Sequence, residues 1–279
     1  MAQNTEHAAE VENLWRTYLT TGEIEAERRK RRLFKILPGT PRCGNCYAPF
    51  QGAGSTVVRV VYGKRPSNLN PKLCNACEQF ARQHQGGAEI ELSLLFADVR
   101  GSTTIAESMS PTDYSQLINR FYKAATHVMV QTDALIDKIV GDQVAGMYVP
   151  GIAGADHARR AIEAAQEMLR VTGHGTSGGP WIPLGAGVHT GTAFVGAVGS
   201  EEGTVDITVL GDAANSAARL STSAGIGEIL ISDSAILAAG IERRGLEERS
   251  LELKGKSAPV PVHVLSDYGP LPSPVNRED

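Results

Sequence analysis

The chain has 279 residues, 42% hydrophobic and 21% charged, which excludes a wholly disordered polypeptide and allows about two domains at ~150 residues each. Its formal net charge of -4 excludes a generally basic nucleic-acid coat, although residues 1–89 carry 13 Lys and Arg against 8 Asp and Glu, and the remainder carries 14 against 23. No apolar run approaches the ~18 residues that span a bilayer, and Met1 to Glu12 lacks the basic and apolar stretches of a signal peptide, so a soluble, cytoplasmic protein without a transmembrane segment is expected.

The first segment, residues 1–37, is helix-friendly. Val11, Leu14, Trp15, Tyr18 and Leu19 recur at helical spacing and a charged run follows from Glu23 to Arg32, which predicts one helix, or two broken near Thr21-Gly22. The basic run Arg28 to Arg32 reads as a solvated helix face in preference to a nucleic-acid or anionic-lipid contact.

Residues 38–88 change character, with Pro38, Gly39 and Pro41 leading into four cysteines among Gly, Asn and Pro. The cysteines form two Cys-x2-Cys turns, Cys43/Cys46 and Cys74/Cys77, with 27 residues between the pairs. Two such turns supply the four thiolates of a tetrahedral site, so a small zinc-ribbon-like module is expected, held by structural Zn2+. An iron–sulfur cluster is a second reading, and disulfides or free thiols a third that a reducing cytosol disfavours. Too few periodic apolar positions remain for this segment to collapse unaided. Arg59, Lys64, Arg65 and Lys72 make it basic, but a structural or docking role is favoured over nucleic-acid binding.

From Ala88 onward apolar runs alternate with helical patterns. Ile90 to Ala97 reads as a buried strand, and Ser110-Pro111-Thr112-Asp113 as a helix start with Ser as N-cap and Pro at N1. Tyr114, Leu117, Ile118, Phe121, Ala125 and Val128 continue that helix as one stripe. Ala134 to Ile139 and Val144 to Val149 flank Gly141-Asp142 as a hairpin, and Ala155 to Val171 is a second helix. Strands are expected at Leu184 to His189 and Ala193 to Val198, separated by Thr190-Gly191-Thr192, with a helix at Ala213 to Ser223. Gly173 to Pro180 reads as a loop and residues 268–279 as a flexible tail. The pattern predicts an α+β sandwich with helices on one face of a mostly antiparallel sheet.

Asp98 follows a buried strand and precedes a glycine turn, a place that holds a carboxylate rigidly at a sheet edge for a hard cation. Asp142 sits at a hairpin tip, where a turn-capping Asp is the plain alternative; if the two strands are neighbours, both acids can meet one pair of Mg2+ ions. The segments FADVRGST with Asp98, DKIVGD with Lys138 and Asp142, GVHTG at 187–191, ITVLGDAANSAARL with Thr208, Asn215 and Arg219, and LKGK with Lys254 follow in that order. Together they resemble the catalytic domain of class III nucleotidyl cyclases over roughly Glu89 to Leu265, and the domain is bounded at 89–267. Gly255-Lys256-Ser257 is not a P-loop, because the first glycine of that motif falls at Ser250.

The resemblance implies a ferredoxin-like class III cyclase sandwich and an adenylate cyclase converting ATP to 3′,5′-cyclic AMP and pyrophosphate. Asp98 and Asp142, with the Val99 carbonyl, match the ligands of two Mg2+ or Mn2+ ions. Lys138 and Thr208 match the purine-selecting pair, in the version that favours ATP over GTP. Asn215 and Arg219 match the ribose-orienting and transition-state-stabilising pair, and Lys254, with Lys256 beside it, the triphosphate lysine. The family shares its sites across a two-fold interface, and this chain has both sets of residues, so a homodimer with two shared active sites is implied. Ala213-Ala214 stands where the family often has Thr-Val. A guanylate cyclase, a catalytically silent homologue acting as regulator or scaffold, and a zinc-ribbon nucleic-acid binder are the alternatives.

Overall fold

The computed structural model describes residues 2–22, 25–200, 203–252, 259–266 and 271; of residues 2–5 and 25–28 it describes the backbone alone. The chain divides into two units, one of Met1–Ile90, Val149–Ile152 and Ala193–Leu210, the other of Glu91–Tyr148, Ala153–Thr192 and Gly211–Asp279.

In the first unit the amino-terminal segment is two helices, α1 (Ala2–Thr20) and α2 (Glu25–Ile36), with Gly22 at a positive φ of 63° between them. α1 buries Trp15 and Leu19, and α2 buries Phe34. The Trp15 indole donates to the His84 carbonyl at 2.9 Å and meets the Phe80 ring edge-on at 5.5 Å. The cysteine segment is less loop-rich than expected, since it contains α3 (Ala53–Tyr62) and α4 (Asn75–Gln83). α3 escapes a periodicity reading because Val57, Val60 and Val61 are exposed and only Val58 of its valines is buried. The module's missing core comes from α1 and α2: Trp15 packs with Phe80, Phe34 with Tyr62, and the Arg31 guanidinium lies over the Tyr47 ring.

β1 (Gly86–Val99) starts in this unit and runs into the second. There α5 (Ser102–Glu107) and α6 (Pro111–Gln131) follow, the latter capped as expected, with Ser110 Oγ accepting from the Asp113 amide at 3.1 Å and donating to the Asp113 carboxylate at 2.7 Å. The hairpin β2 (Leu135–Val140) and β3 (Gln143–Tyr148) turns at Gly141, whose φ of 63° suits glycine. α7 (Pro150–Ala153) and α8 (His157–Val171) lead to β4 (Leu184–Gly199), and the 173–180 segment has no regular structure.

β4 is one 16-residue strand, where two had been expected. Thr190 does not break it because its polar atoms are satisfied in place. Its hydroxyl lies 2.6 Å from that of Ser93, and its carbonyl accepts from the Ser234 hydroxyl at 2.6 Å. The remaining elements are β5 (Val205–Leu210), α9 (Asp212–Ser223), β6 (Ile229–Ser232), α10 (Asp233–Ala238), β7 (Glu247–Leu251) and β8 (Val260–Leu265).

The strand order is β2-β3-β1-β4-β6-β8-β7, and among the described residues β5 pairs with β4 only. β4 and β6 are parallel; β1–β3, β2–β3, β4–β5, β6–β8 and β7–β8 are antiparallel. In the second unit Leu95, Ala97, Val99, Leu184, Ala186, Val188, Ile229 and Ile231 form one core with Phe121, Ala161, Ile162, Leu169 and Ile236 of α6, α8 and α10. Helices do not keep to that face. A side chain at Gly187 would run into the Ser221 amide and the Ala217 carbonyl, so α9 lies directly on the face that residues 185 and 187 present. Helices therefore cover both faces of the sheet.

Candidate active site and cysteine cluster

The carboxylates of the motif segments are brought together. Asp98, at the end of β1, pairs in register with Gln143, and the Val99 amide donates to the Asp142 carbonyl at 3.0 Å. The two acids are thus held side by side by backbone bonds, independently of their charge. Burial raises the Asp98 pKa; the Arg100 guanidinium opposes this, and the nearby Asp142 charge adds to it. Arg100 pairs with the Asp98 carboxylate and donates to the Thr222 carbonyl at 2.7 Å at the far end of α9. The Tyr122 hydroxyl donates to the Gly141 carbonyl at 2.6 Å and so fixes the hairpin tip. Burial, with the Asp142 charge, also raises the pKa values of Tyr122 and Tyr114.

Two adjoining carboxylates with a backbone carbonyl beside them are a hard-oxygen donor set. Burial raises the Asp98 pKa even with the Arg100 guanidinium paired to it, so added positive charge is favoured here, as at a site for divalent cations.

Lys138 stands on β2 just past a register shift between Ile136 and Lys138. The extra residue, Asp137, is buried, while the Lys138 side chain is 47% exposed and its ammonium lies 3.8 Å from the Asp137 carboxylate. Asn215 and Arg219 lie one turn apart on α9; Asn215 is exposed and Arg219 half-buried. Among the described residues neither side chain has a hydrogen-bond or ion-pair partner. Thr208, in the first unit, is a half-buried residue of β5 opposite Gly196 of β4. Lys254 and Lys256 lie outside the described residues.

Arg100 and Tyr122 carry site geometry that motif reading missed. Both were in view, one inside FADVRGST and the other beside the α6 stripe, but only their distant backbone partners mark them.

The four cysteines are free, buried and clustered, with all four Sγ atoms within 4.8 Å of one another and Cys46 Sγ 3.7 Å from Cys74 Sγ. That separation is far beyond a disulfide bond. A four-coordinate ion with Zn–S bonds of ~2.3 Å sets its sulfurs roughly 3.8 Å apart, so the quartet could hold a metal. Polar groups converge on it: Asn45 Nδ2 donates to Cys77 Sγ at 3.4 Å, the Cys74 amide to Cys43 Sγ at 3.3 Å, and the buried Lys64 ammonium lies 3.8 Å from Cys46 Sγ. Cys74 is also the N-cap of α4, where the helix dipole favours a thiolate. Hydrogen bonds from Cys43, Cys46 and Cys77 hold the Cys74 thiol below its usual range, and Lys64 adds to the effect.

The fold is that of the nucleotidyl cyclases. Over 69% of this chain and 98% of the other it superposes on the crystal structure of the guanylyl cyclase Cya2, with a TM-score of 0.59 and 28% identity. It matches the adenylyl cyclase CyaB from P. aeruginosa over 64% and 95% of the two chains, with a TM-score of 0.56 and 26% identity. Residues 87–266 match the family model for the adenylate and guanylate cyclase catalytic domain, and the chain belongs to that family. An adenylate cyclase of Anabaena cylindrica is 29% identical over 183 residues, 62% of this chain; the chain spans only 36% of that relative's length.

Among the described residues no helix is long and apolar enough to cross a membrane.

Proposed function

We propose that the chain is an adenylate cyclase that forms 3′,5′-cyclic AMP and pyrophosphate from ATP at two sites shared across a homodimer. The observation that carries this reading is the backbone-enforced pairing of Asp98 with Asp142 in a chain whose Asn215 and Arg219 side chains have no hydrogen-bond or ion-pair partner among the described residues. Polar side chains with no hydrogen-bond or ion-pair partner among the described residues are available to a substrate held by a second copy.

In cyclisation the ribose 3′-oxygen bonds to the α-phosphorus, the bond to the β-phosphate oxygen breaks, and the hydroxyl proton passes to solvent. No protein nucleophile is needed, so catalysis is positioning and charge stabilisation. Two Mg2+ or Mn2+ ions held by Asp98, Asp142 and the Val99 carbonyl would supply Lewis-acid activation of the 3′-hydroxyl and neutralise triphosphate charge. Arg219 presents a planar fork of donors to the charge that develops around the α-phosphate, which a lysine could not match. Asn215 orients the ribose one helical turn away, and Lys254 binds the triphosphate.

Lys138 donates to purine N1, an acceptor in adenine and a donor-bearing atom in guanine, while Thr208 accepts from the exocyclic amine. Guanylate cyclase is the second reading, favoured by the likeness to Cya2; the Lys138 and Thr208 side chains argue for ATP. In the thiolate quartet we infer a single Zn2+. Four thiolates and one divalent ion leave two negative charges, which buried Lys64 and the Arg31 guanidinium, bonded to the Asn45 carbonyl, offset. A multi-iron cluster spreads its thiolates over different metal atoms, and the compact quartet favours one ion.

The test is incubation of the purified chain with ATP or GTP and Mg2+ or Mn2+, followed by chromatography of the nucleotides. Cyclic AMP from ATP is expected. Preferential cyclic GMP overturns the purine assignment, and no cyclic product with either nucleotide supports a silent regulatory homologue.

A further inference from the structure

The cysteine module is bonded to the strand that carries Thr208. Between the two Cys-x2-Cys turns the chain loops back through residues 67–73, and this loop is tied to the quartet at its end. The Gly44 amide, inside the first turn, donates to the Lys72 carbonyl at 2.8 Å, and the amide of Cys74 donates to Cys43 Sγ.

From the same loop, side chains reach β5 and the residues just before it. Asn70 is 3% exposed, and its Nδ2 donates to the Val205 carbonyl at 2.9 Å and to Asp206 Oδ1 at 3.2 Å. The Lys72 ammonium pairs with Asp206 Oδ2 at 2.7 Å, and Arg82 of α4 donates to the Gly203 carbonyl. Thr204 closes the set by donating to the Leu69 carbonyl at 3.4 Å. All these contacts fall on residues 203–206, immediately ahead of Thr208.

Among the described residues β5 pairs only with β4, so its other edge has no strand there to hold it. The module supplies what a neighbouring strand would, and its loop 67–73 lies between the two Cys-x2-Cys turns whose sulfurs cluster.

Resting on the cyclase reading of Thr208 and on the zinc reading of the quartet, we propose that the Cys43/Cys46/Cys74/Cys77 ion is a clamp on β5. Its occupancy sets how tightly the purine is bound. With the ion in place, Asn70 and Lys72 hold Asp206 and thereby the position of Thr208. Without it the loop is released and the strand loses its outer support. Asn70 and Lys72 are positioning residues; neither touches the nucleotide.

The experiment uses the full zinc-loaded chain, with Asn70→Ala and Lys72→Met to cut the clamp while leaving the thiolates intact, and Cys74→Ser to remove the ion. Three quantities are read for each: zinc content, hydrogen exchange of the amides of residues 203–210, and KM and kcat for ATP. The clamp variants are expected to keep one zinc per chain, to exchange faster in 203–210, and to raise KM about tenfold with kcat within about twofold, the scale of losing one charge-assisted hydrogen bond. Lys72→Arg should restore the wild-type KM. Cys74→Ser should lose zinc and reproduce the faster exchange.

Unchanged exchange in Cys74→Ser, or an unchanged KM in both clamp variants that do exchange faster, overturns the proposal. If the wild-type chain forms no cyclic nucleotide the cyclase reading has failed, and the clamp is then judged on exchange alone. If it purifies without zinc and exchange does not respond when zinc is added, the clamp falls together with the zinc reading.

Discussion

At Asp98 the chain keeps a carboxylate where burial works against its charge and a second acid, Asp142, sits nearby. The backbone bond from Val99 to Asp142 depends on neither side chain, and the side-chain contact Asp98 makes among the described residues is its ion pair with Arg100. A divalent cation bound there relieves the penalty, so binding should stabilise the fold. At a Mn2+ concentration of 100 times Kd the gain is about 2.7 kcal/mol, or roughly 5–10 °C in Tm for a domain of this size. Asp98→Asn should abolish that shift in a thermal melt and reduce turnover at least ~100-fold while leaving the metal-free Tm no lower than wild type. A full Mn2+ shift in the variant would remove Asp98 from the ligand set. The two acids were legible in the sequence because a carboxylate at a strand end or hairpin tip is locally marked. Arg100 was not: an arginine in a turn reads as solvated, and its partner carbonyl at Thr222 is 122 residues away.

The joint between α8 and β4 turns on a neutral imidazole. His174 is buried; its Nε2 accepts from the Leu184 amide at 3.2 Å, while its Nδ1 lies 3.1 Å from the Leu169 carbonyl and so carries the proton. Burial lowers its pKa, and that of His157, whose Nδ1 lies 2.9 Å from the Ser93 hydroxyl. A histidine with a depressed native pKa takes up protons first in the unfolded chain. Stability is therefore full above pH ~6.5 and falls as the pH drops below it, by up to ~1.4 kcal/mol per pH unit for each such group. Melts between pH 7.5 and 5 should show this fall, and His174→Gln should start lower at neutral pH and lose a smaller part of its Tm on acidification. An equal acid slope in the variant would show that His174 is not one of the responsible groups. Element by element, legibility followed how local the signal was. α6 announced itself through Ser110, Pro111 and Asp113 within four residues. β4 did not, because the partners that keep Thr190 in the strand, Ser93 and Ser234, come from β1 and α10. α3 was hidden by its exposed valines, and the course of α9 across the second face depends on Gly185 and Gly187, whose lack of a side chain leaves no hydrophobic pattern to read.

For the molecule as a whole, the motif order over roughly Glu89 to Leu265 was enough to indicate the family whose model matches residues 87–266, since several weak signals in sequence multiply where one would not. Assembly is another matter, because a composite site leaves no mark in one chain except residues without a use. Arg219 and Asn215 have that character: side chains on α9 with no hydrogen-bond or ion-pair partner among the described residues. If the acids of one copy serve the arginine of the other, Asp98→Ala and Arg219→Ala should each be inactive alone, because every site of either homodimer lacks one essential group. In a mixed dimer both defects fall in the same site, and the other site is whole. Free exchange of equal amounts makes about half of all dimers mixed, each with one good site of two, so activity should recover to about a quarter of the wild-type value. The measurement is cyclic nucleotide formation before and after mixing, with subunit exchange followed independently by differently tagged chains. Sites complete within one chain predict no recovery at any mixing ratio, so exchange without regained turnover would rule out the shared site.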